Sequence, residues 1–134
     1  MSTEEHNLVL ILARGLASSI ATPMMLVDTE GTVVYFNEPA EEVLGESYAE
    51  VGEMTRDEFL GKFYAGENES GEKIPPGELP IGVALGKRRP AHRTLAVARS
   101  DGEQRTIAVT AFPLFARTEE LAGALAIFWE EDQE

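Results

Sequence analysis

Leu95-Ala-Val-Ala-Arg-Ser100, Thr106-Ile-Ala-Val-Thr-Ala-Phe-Pro-Leu-Phe115 and Leu121-Ala-Gly-Ala-Leu-Ala-Ile-Phe-Trp129 are three apolar runs that follow one another near the end of the chain. Between the first two runs stands Asp101-Gly102, and Arg117 to Glu120 separates the second from the third. Asp-Gly between alternating runs signals a hairpin, because both residues tolerate the positive φ of a tight primed turn. These runs are expected to form the meander half of an antiparallel sheet. The last run does not alternate with polar residues, so both of its faces must be covered and it must lie centrally. A sheet whose final strand is central needs more strands from the N-terminal half.

Those strands are legible upstream. Ser2 with Glu5 is a capping-box pattern, and Leu8, Leu12, Leu16 and Ile20 follow at helical spacing, widened by Leu10 and Ile11. An apolar arc this broad exceeds what a single surface helix shows, so part of it is expected to contact something beyond its own core. Pro23 is expected to end that helix, because the residue before a proline is pushed out of the α region. A strand from Met24 to Asp28, a turn at Asp28-Thr-Glu-Gly31 and a strand from Thr32 to Phe36 come next. Asn37 is placed as the N-cap of a short helix from Glu38 to Leu44, with Gly45 just past its end. Helical patches such as Arg56-Asp-Glu-Phe-Leu60, a polar loop from Ala65 to Gly77 and a helix from about Glu78 to Leu85, carrying Leu79, Val83 and Leu85 inward and closed by Gly86, complete the middle. Five antiparallel strands with helices between the second and third make an α+β fold.

Composition sets limits on function. The 134 residues suffice for one core and one domain, and with no cysteine the chain offers no disulfide, thiolate nucleophile or zinc-thiolate cluster. Leu8 to Ala13 is too short to cross a bilayer, and Glu4 and Glu5 stand where a signal peptide carries basic residues, so a cytoplasmic protein is expected. A net charge of −13 argues against nucleic acid and anionic membranes as direct partners. Residues 84–117 depart from this, with seven basic side chains against Asp101 and Glu103, a local +5. Lys87 to Arg89 read as cations at a helix C-terminus and the strand arginines as edge decoration, a docking face for an acidic partner being the alternative.

No catalytic or metal constellation emerges. His6 and His92 have no second ligand at metal-binding spacing, Glu67 to Glu72 lacks the alternation of a calcium loop and reads as solvated, and adjacent pairs such as Glu41-Glu42 point in different directions. The chain is not expected to be an enzyme.

Val27-Asp28-Thr-Glu-Gly31-Thr-Val-Val-Tyr35-Phe-Asn37-Glu-Pro-Ala40-Glu-Glu-Val-Leu44-Gly45 resembles the opening of a PAS domain, where Asp-x-x-Gly joins two strands and Asn-x-x-Ala starts the next helix. Leu79-Pro80 to Gly86, Arg99 to Gly102, Thr110 to Leu114 and Gly123 to Phe128 are similar to the second half of bacterial PAS sensor domains. The resemblance spans about residues 16 to 130. It implies a five-stranded sheet of order 2-1-5-4-3, short helices on one face and a small-molecule pocket. The other face is apolar as well and needs a lid, so an N-terminal helix over residues 1–22 is expected to cover that face of a PAS domain at 23–134.

Strand alternation then assigns side chains to faces. Met25, Val27, Leu125, Ile127 and Val109 are expected to face the helices, and Met24, Leu26, Ala124, Ala126 and Phe128 to face outward. The candidate ligand pocket is Met25, Val27, Tyr35, Val43, Leu95, Val109, Leu125 and Ile127, with the Tyr35 hydroxyl as polar anchor. The competing reading is that these residues merely fill the core. Leu8, Leu12, Leu16, Ile20 and Phe128 are the candidates for sheet cover and a homodimer contact.

The resemblance also allows cofactors to be weighed. A flavin photoadduct needs the cysteine that is absent here, and haem would need His92, which reads as an exposed incidental residue. A small apolar or acidic ligand remains. PAS sensors that drive a kinase continue past the last strand into a signalling helix, whereas Trp129 is followed only by Glu-Glu-Asp-Gln-Glu134. Either the sequence is a piece of a longer sensor or the domain works in trans; the expectation is a sensory module acting in trans on a separate kinase, phosphatase or transcription factor, the alternative being a constitutive dimerisation or docking module without ligand.

Overall fold

A computed structural model describes residues 3–68 and 74–130. Helix α1 (Thr3–Ala17) precedes strands β1 (Met24–Asp28) and β2 (Val33–Phe36), helices α2 (Glu38–Leu44), α3 (Tyr48–Val51) and α4 (Arg56–Phe63), and strand β3 (Tyr64–Asn68). A 3₁₀ turn (Pro76–Glu78), helix α5 (Pro80–Lys87) and strands β4 (Ala91–Ala98), β5 (Gln104–Arg117) and β6 (Glu120–Glu130) complete it. The Ser2 end of the proposed capping box, the side chains of Glu5 and His6, and most of the Glu67 to Glu72 tract lie outside what is described.

The sheet runs β2-β1-β6-β5-β4-β3, with every neighbouring pair antiparallel. The five expected strands thus take the order 2-1-5-4-3, and β1 lies beside β6 with Met24 opposite Ile127 and Asp28 opposite Gly123. The sixth strand, β3, falls in the expected polar loop. Its Tyr-Ala-Gly-Glu-Asn sequence has little strand preference, but β4 would otherwise present an open row of backbone donors and acceptors. Pairing Tyr64 with Val97 and Asn68 with Leu95 closes that edge.

The turns follow their sequences with small changes. In the Asp28 to Gly31 turn, Asp28 Oδ1 accepts from the amides of Glu30 at 2.9 Å and Thr32 at 3.0 Å, while Gly31 takes a φ of 85° that costs a side chain. The β4–β5 hairpin is one residue longer than a primed turn. The Arg99 amide donates to the Glu103 carbonyl at 2.8 Å, leaving Ser100 to Gly102 as a three-residue loop with Gly102 at φ 91°. Its tip docks on α2: the Ser100 amide donates to Leu44 O at 3.0 Å, Ser100 Oγ to Gly45 O and the Arg99 guanidinium to Glu42 O. These bonds satisfy carbonyls that the end of a helix leaves without partners. Helix α5 starts two residues later than expected and passes through Gly86, and Arg88 rather than the glycine takes the left-handed position at φ 57°.

Helix α1 stops at Ala17, well short of Pro23, so Ile20 belongs to the link and not to the helix. The reason is Asn37, whose amide Nδ2 donates to the carbonyls of Ala17 at 3.0 Å, Ile20 at 3.3 Å and Thr22 at 2.9 Å. Those three carbonyls converge on one donor group, which a continuing helix could not arrange.

The two faces of the sheet are covered by different elements. On one face the buried core joins Met25, Val27, Val33, Phe36, Leu95, Val97, Ile107, Val109, Ala124, Ala126 and Phe128 to residues of α2, α4 and α5. On the other, α1 lies across β1, β5 and β6. Buried Ala17 and half-buried Val9, Leu10 and Ala13 mark the covering side of α1, with Leu26 and Met24 buried among the strand residues of that face.

Candidate functional site: an apolar cavity between the sheet and helices α4 and α5

Between the inner sheet face and the helices lies a cavity of about 370 Å³. Its floor is Met25 and Val27 of β1, Leu95 and Val97 of β4, Ile107 and Val109 of β5, and Ala126 and Phe128 of β6. Phe59 and Leu60 of α4 with Leu79, Ile81 and Leu85 of the α5 segment form the roof. The sequence explains why these helices roof a space instead of filling it. Helix α5 reads Pro-Ile-Gly-Val-Ala-Leu-Gly-Lys, and Gly82 and Gly86 present no side chain toward the sheet. On the floor, Ala126 supplies only a methyl group.

Polar groups gather at one end. Thr29, Glu30 and Gly31 of the β1–β2 turn meet Arg56, the first residue of α4, and every other side chain that lines the cavity is apolar. The Arg56 stem runs along the turn: a Cβ built on Gly31 would stand 3.4 Å from Arg56 Cβ and 3.6 Å from its Cδ. Thr55 caps α4, accepting from the Glu58 amide at 3.1 Å while Glu58 returns a carboxylate to the Thr55 amide at 2.9 Å.

Met25, Val27, Leu95 and Val109 stand at the cavity, whereas Tyr35, Val43, Leu125 and Ile127 do not. Leu125 and Ile127 are corrected by register. Residues directly opposite in an antiparallel pair share a face. Met25 faces Ala126 and Val27 faces Ala124, while Leu26 faces Leu125 and Met24 faces Ile127. The whole of β6 is therefore inverted relative to expectation: Ala124, Ala126 and Phe128 point inward, and Phe128 is 3% exposed. As a consequence Phe128 is part of the cavity floor and not of any outer contact.

Tyr35 pairs with Leu26 and so belongs to the outer face, where the Arg14 guanidinium stacks 4.5 Å from its ring centre. Arg14 also lies 5.5 Å from the ring of Tyr48, whose hydroxyl donates to Val34 O at 2.6 Å. Burial, then the carboxylate of Glu53, holds that hydroxyl above its ordinary pKa, with Arg14 acting against both. Val43 is buried in α2, a helix that packs on β1 and β6 to one side of the cavity.

The outer face carries the exposed apolar residues. Leu8, Ile11, Leu12 and Leu16 of α1 are 55–65% exposed, so the helix turns these side chains away from the sheet it covers. Phe112, opposite Leu125, and Trp129, opposite Ala108, extend exposed apolar surface onto the strands. His92 is on this face as well, its Nδ1 2.6 Å from Thr110 Oγ1 and its ring 6.1 Å from that of Trp129. It is therefore across the sheet from the cavity. Among the described residues no group of three or more His, Cys, Asp or Glu side chains is disposed to hold a metal ion, and no helix is long and apolar enough to cross a membrane.

The sequence reading missed Arg56, Phe59, Leu60 and Ile81. For the first three the early signal was the helical patch at Arg56 to Leu60, which nothing in the chain linked to the Asp28 to Gly31 turn; Ile81 lay in the helix expected from about Glu78 to Leu85 but was not placed at a pocket.

Comparison with known proteins bears on this architecture. A family model described as PAS fold matches residues 18–131. The crystal structure of a PAS domain from Colwellia psychrerythraea is 14% identical, with 94% of this chain and 99% of that chain aligned at a TM-score of 0.67. The PAS domain of Bordetella pertussis BvgS is 18% identical over 93% of this chain and 87% of that chain, with a TM-score of 0.62. The Rhodobacter sphaeroides LOV protein is 18% identical, covering 100% of this chain and 70% of that chain at a TM-score of 0.71. At such identities the likeness is one of fold. None of the curated proteins matches the sequence.

Proposed function

This chain belongs to the PAS fold family, and on that premise we propose that it is a non-catalytic sensory module that takes a small molecule into the cavity and passes the change to a separate signalling protein. The observation that carries the reading is the cavity itself. Its volume of about 370 Å³ is within the roughly 300–1,000 Å³ of small-molecule sites. A core filled by its own side chains would leave few voids larger than a water molecule, so the ligand-free alternative is the weaker one.

Transmission runs through elements that bridge the two faces. Asn37 joins the end of α1 to β1 and α2, and Arg14 joins α1 to Tyr35 and Tyr48. A ligand that changes the spacing of sheet and helices would bias α1 through these contacts, provided it binds one arrangement better than the other. The exposed stripe Leu8, Ile11, Leu12 and Leu16 supports a homodimer built on α1, the 1–22 segment serving as cover and dimer contact for the domain that follows. It is equally a surface for a kinase, phosphatase or transcription factor acted on in trans. The net charge of −13 keeps nucleic acid and anionic membranes out of the reading. A cytoplasmic setting is part of the same proposal.

Haem and flavin photochemistry are not part of it. His92 is across the sheet from the cavity, and the chain has no cysteine for a photoadduct.

Native mass spectrometry of protein purified from its own host tests the proposal. Wild type should carry a retained small-molecule mass that Ala126→Phe, which fills the floor, does not carry. If wild type holds no mass, and no compound from a metabolite library raises its melting temperature, the docking-module reading takes its place.

A further inference from the structure

We infer that the cavity takes a medium-length aliphatic chain with one anionic head, a carboxylate or similar group, held at the wet end by the guanidinium of Arg56. The inference rests on the proposed reading that the cavity binds a ligand, and it specifies that ligand's chemistry.

The walls decide the body of the molecule. Beyond Thr29, Glu30 and Arg56, every lining side chain is apolar or absent, from Met25 on the floor to Leu85 in the roof. A polar atom buried against such a surface loses its water and gains no partner. Ring systems with hydrogen-bonding edges would suffer that loss several times over. A hydrocarbon suffers it nowhere.

Volume sets the length. Taking about 30 Å³ for each heavy atom, the share of a water molecule in the liquid, 370 Å³ holds about a dozen of them. That is about the size of decanoate.

The wet end decides the head. Thr29 and Glu30 are exposed and Arg56 is 62% exposed at its side chain, so this end of the cavity meets solvent. Arg56 is laid against Gly31 along its stem, which fixes where the guanidinium begins. Among the described residues its one ion pair is with its neighbour Asp57 at 3.9 Å, with the two side chains 62% and 90% exposed. A pair so exposed and so long is weak and leaves the planar fork able to take a carboxylate. Thr29, which also lines the cavity, carries a hydroxyl donor. Glu30 opposes an anion, but it sits on the exposed turn tip, where water screens it. A guanidinium is also less strongly hydrated than an ammonium, which favours its use where ligand and solvent meet.

Isothermal titration of the full chain with decanoate, decanol and decylamine tests this, each compound kept below its aggregation concentration. Decanoate should bind at least tenfold more tightly than decanol, Arg56→Gln should erase that advantage while leaving decanol unchanged, and Arg56→Lys should restore part of it. Circular dichroism checks that the Arg56 variants stay folded, as an exposed site requires. If decanol matches decanoate, or decylamine binds best, the anionic head is wrong while the cavity reading stands. If none of the three binds wild type and Ala126→Phe behaves identically, the head-group inference falls together with the ligand reading beneath it.

Discussion

The side-chain amide of Asn37 donates to the backbone carbonyl of Ala17 at 3.0 Å, twenty residues away, and so ties the end of α1 to the start of α2. Asn37 is 1% exposed and saturates its hydrogen-bonding capacity. Nδ2 serves three carbonyls, while Oδ1 accepts from the amides of Met24 at 2.9 Å and Ala40 at 3.2 Å. One residue thereby caps a helix, anchors the first strand and ends another helix.

Its removal should be costly in a specific way. Asn37→Ala loses an N-cap, about 1 kcal/mol, and strands buried backbone groups at about 1–3 kcal/mol each, so a total loss of about 3–5 kcal/mol is expected. Asn37→Asp keeps the acceptor but sets a carboxylate against three carbonyls, and should be no better than alanine. Urea midpoints check both. If Asn37→Asp retained wild-type stability, the three-carbonyl arrangement would be wrong.

Gly123 makes a second close approach. A Cβ there would collide with the Val27 carbonyl oxygen and stand 3.1 Å from a methyl of Leu10. The leucine can yield; the backbone of β1 cannot without opening the central ladder. Gly123→Ala should therefore destabilise by about 3 kcal/mol, at the upper end of overpacking costs, and should loosen α1. Amide exchange in Leu10 to Ala17 and in β1 should quicken together. A variant as stable as wild type would show that the backbones of β1 and β6 do not approach so closely at Gly123.

How much of this was written in the chain depends on whether polar residues marked a boundary. Asn37, Gly45 and the Asp28 to Gly31 turn were legible because each position asks for a side chain or a φ that few residues supply. The face of β6 was not. Leu121 to Trp129 contains no polar residue to choose a side, so only the pairing of Val27 with Ala124 fixes it, and a one-residue error inverts every side chain. Helix α1 posed the same problem, since Leu8 to Ala13 is apolar all round and the sheet alone selects Val9, Leu10 and Ala13. Strand β3 owes its existence to a partner edge, and Arg56 reaches the cavity only because the chain brings α4 to a turn some twenty-five residues earlier.

Acid should act on the β4–β5 hairpin. The Glu103 amide, donating to Asp101 at 2.9 Å, and then the Arg99 side chain hold the Asp101 carboxyl below its ordinary value of 3.8. A depressed folded-state pKa gives stability that is present above the ordinary value and lost as pH falls through the lower one. Asp101→Asn keeps an acceptor for the amide but removes the charge. The stability gap between wild type and Asp101→Asn should be small and constant near neutrality, then close as pH drops from about 4 toward 2. A gap that ignores pH across this interval would mean that the charge of Asp101 contributes nothing.

Leu12 and Phe128 separate the two faces most sharply. Leu12 is 65% exposed, so Leu12→Glu exchanges surface for surface and should change stability by less than about 0.5 kcal/mol. If α1 forms a dimer, however, it places two carboxylates in an apolar contact, and the protein should elute and scatter as a monomer. Phe128 is 3% exposed on the cavity floor, where losing the ring alone costs about 3–5 kcal/mol and a carboxylate costs more. Phe128→Glu should therefore unfold the domain and not merely divide a dimer. Light scattering with circular dichroism on both variants reads the difference. A folded Phe128→Glu monomer would return Phe128 to the outer face and undo the register of β6, while a wild type that is already monomeric at high concentration would remove the dimer from the proposal and leave the stripe to a different partner.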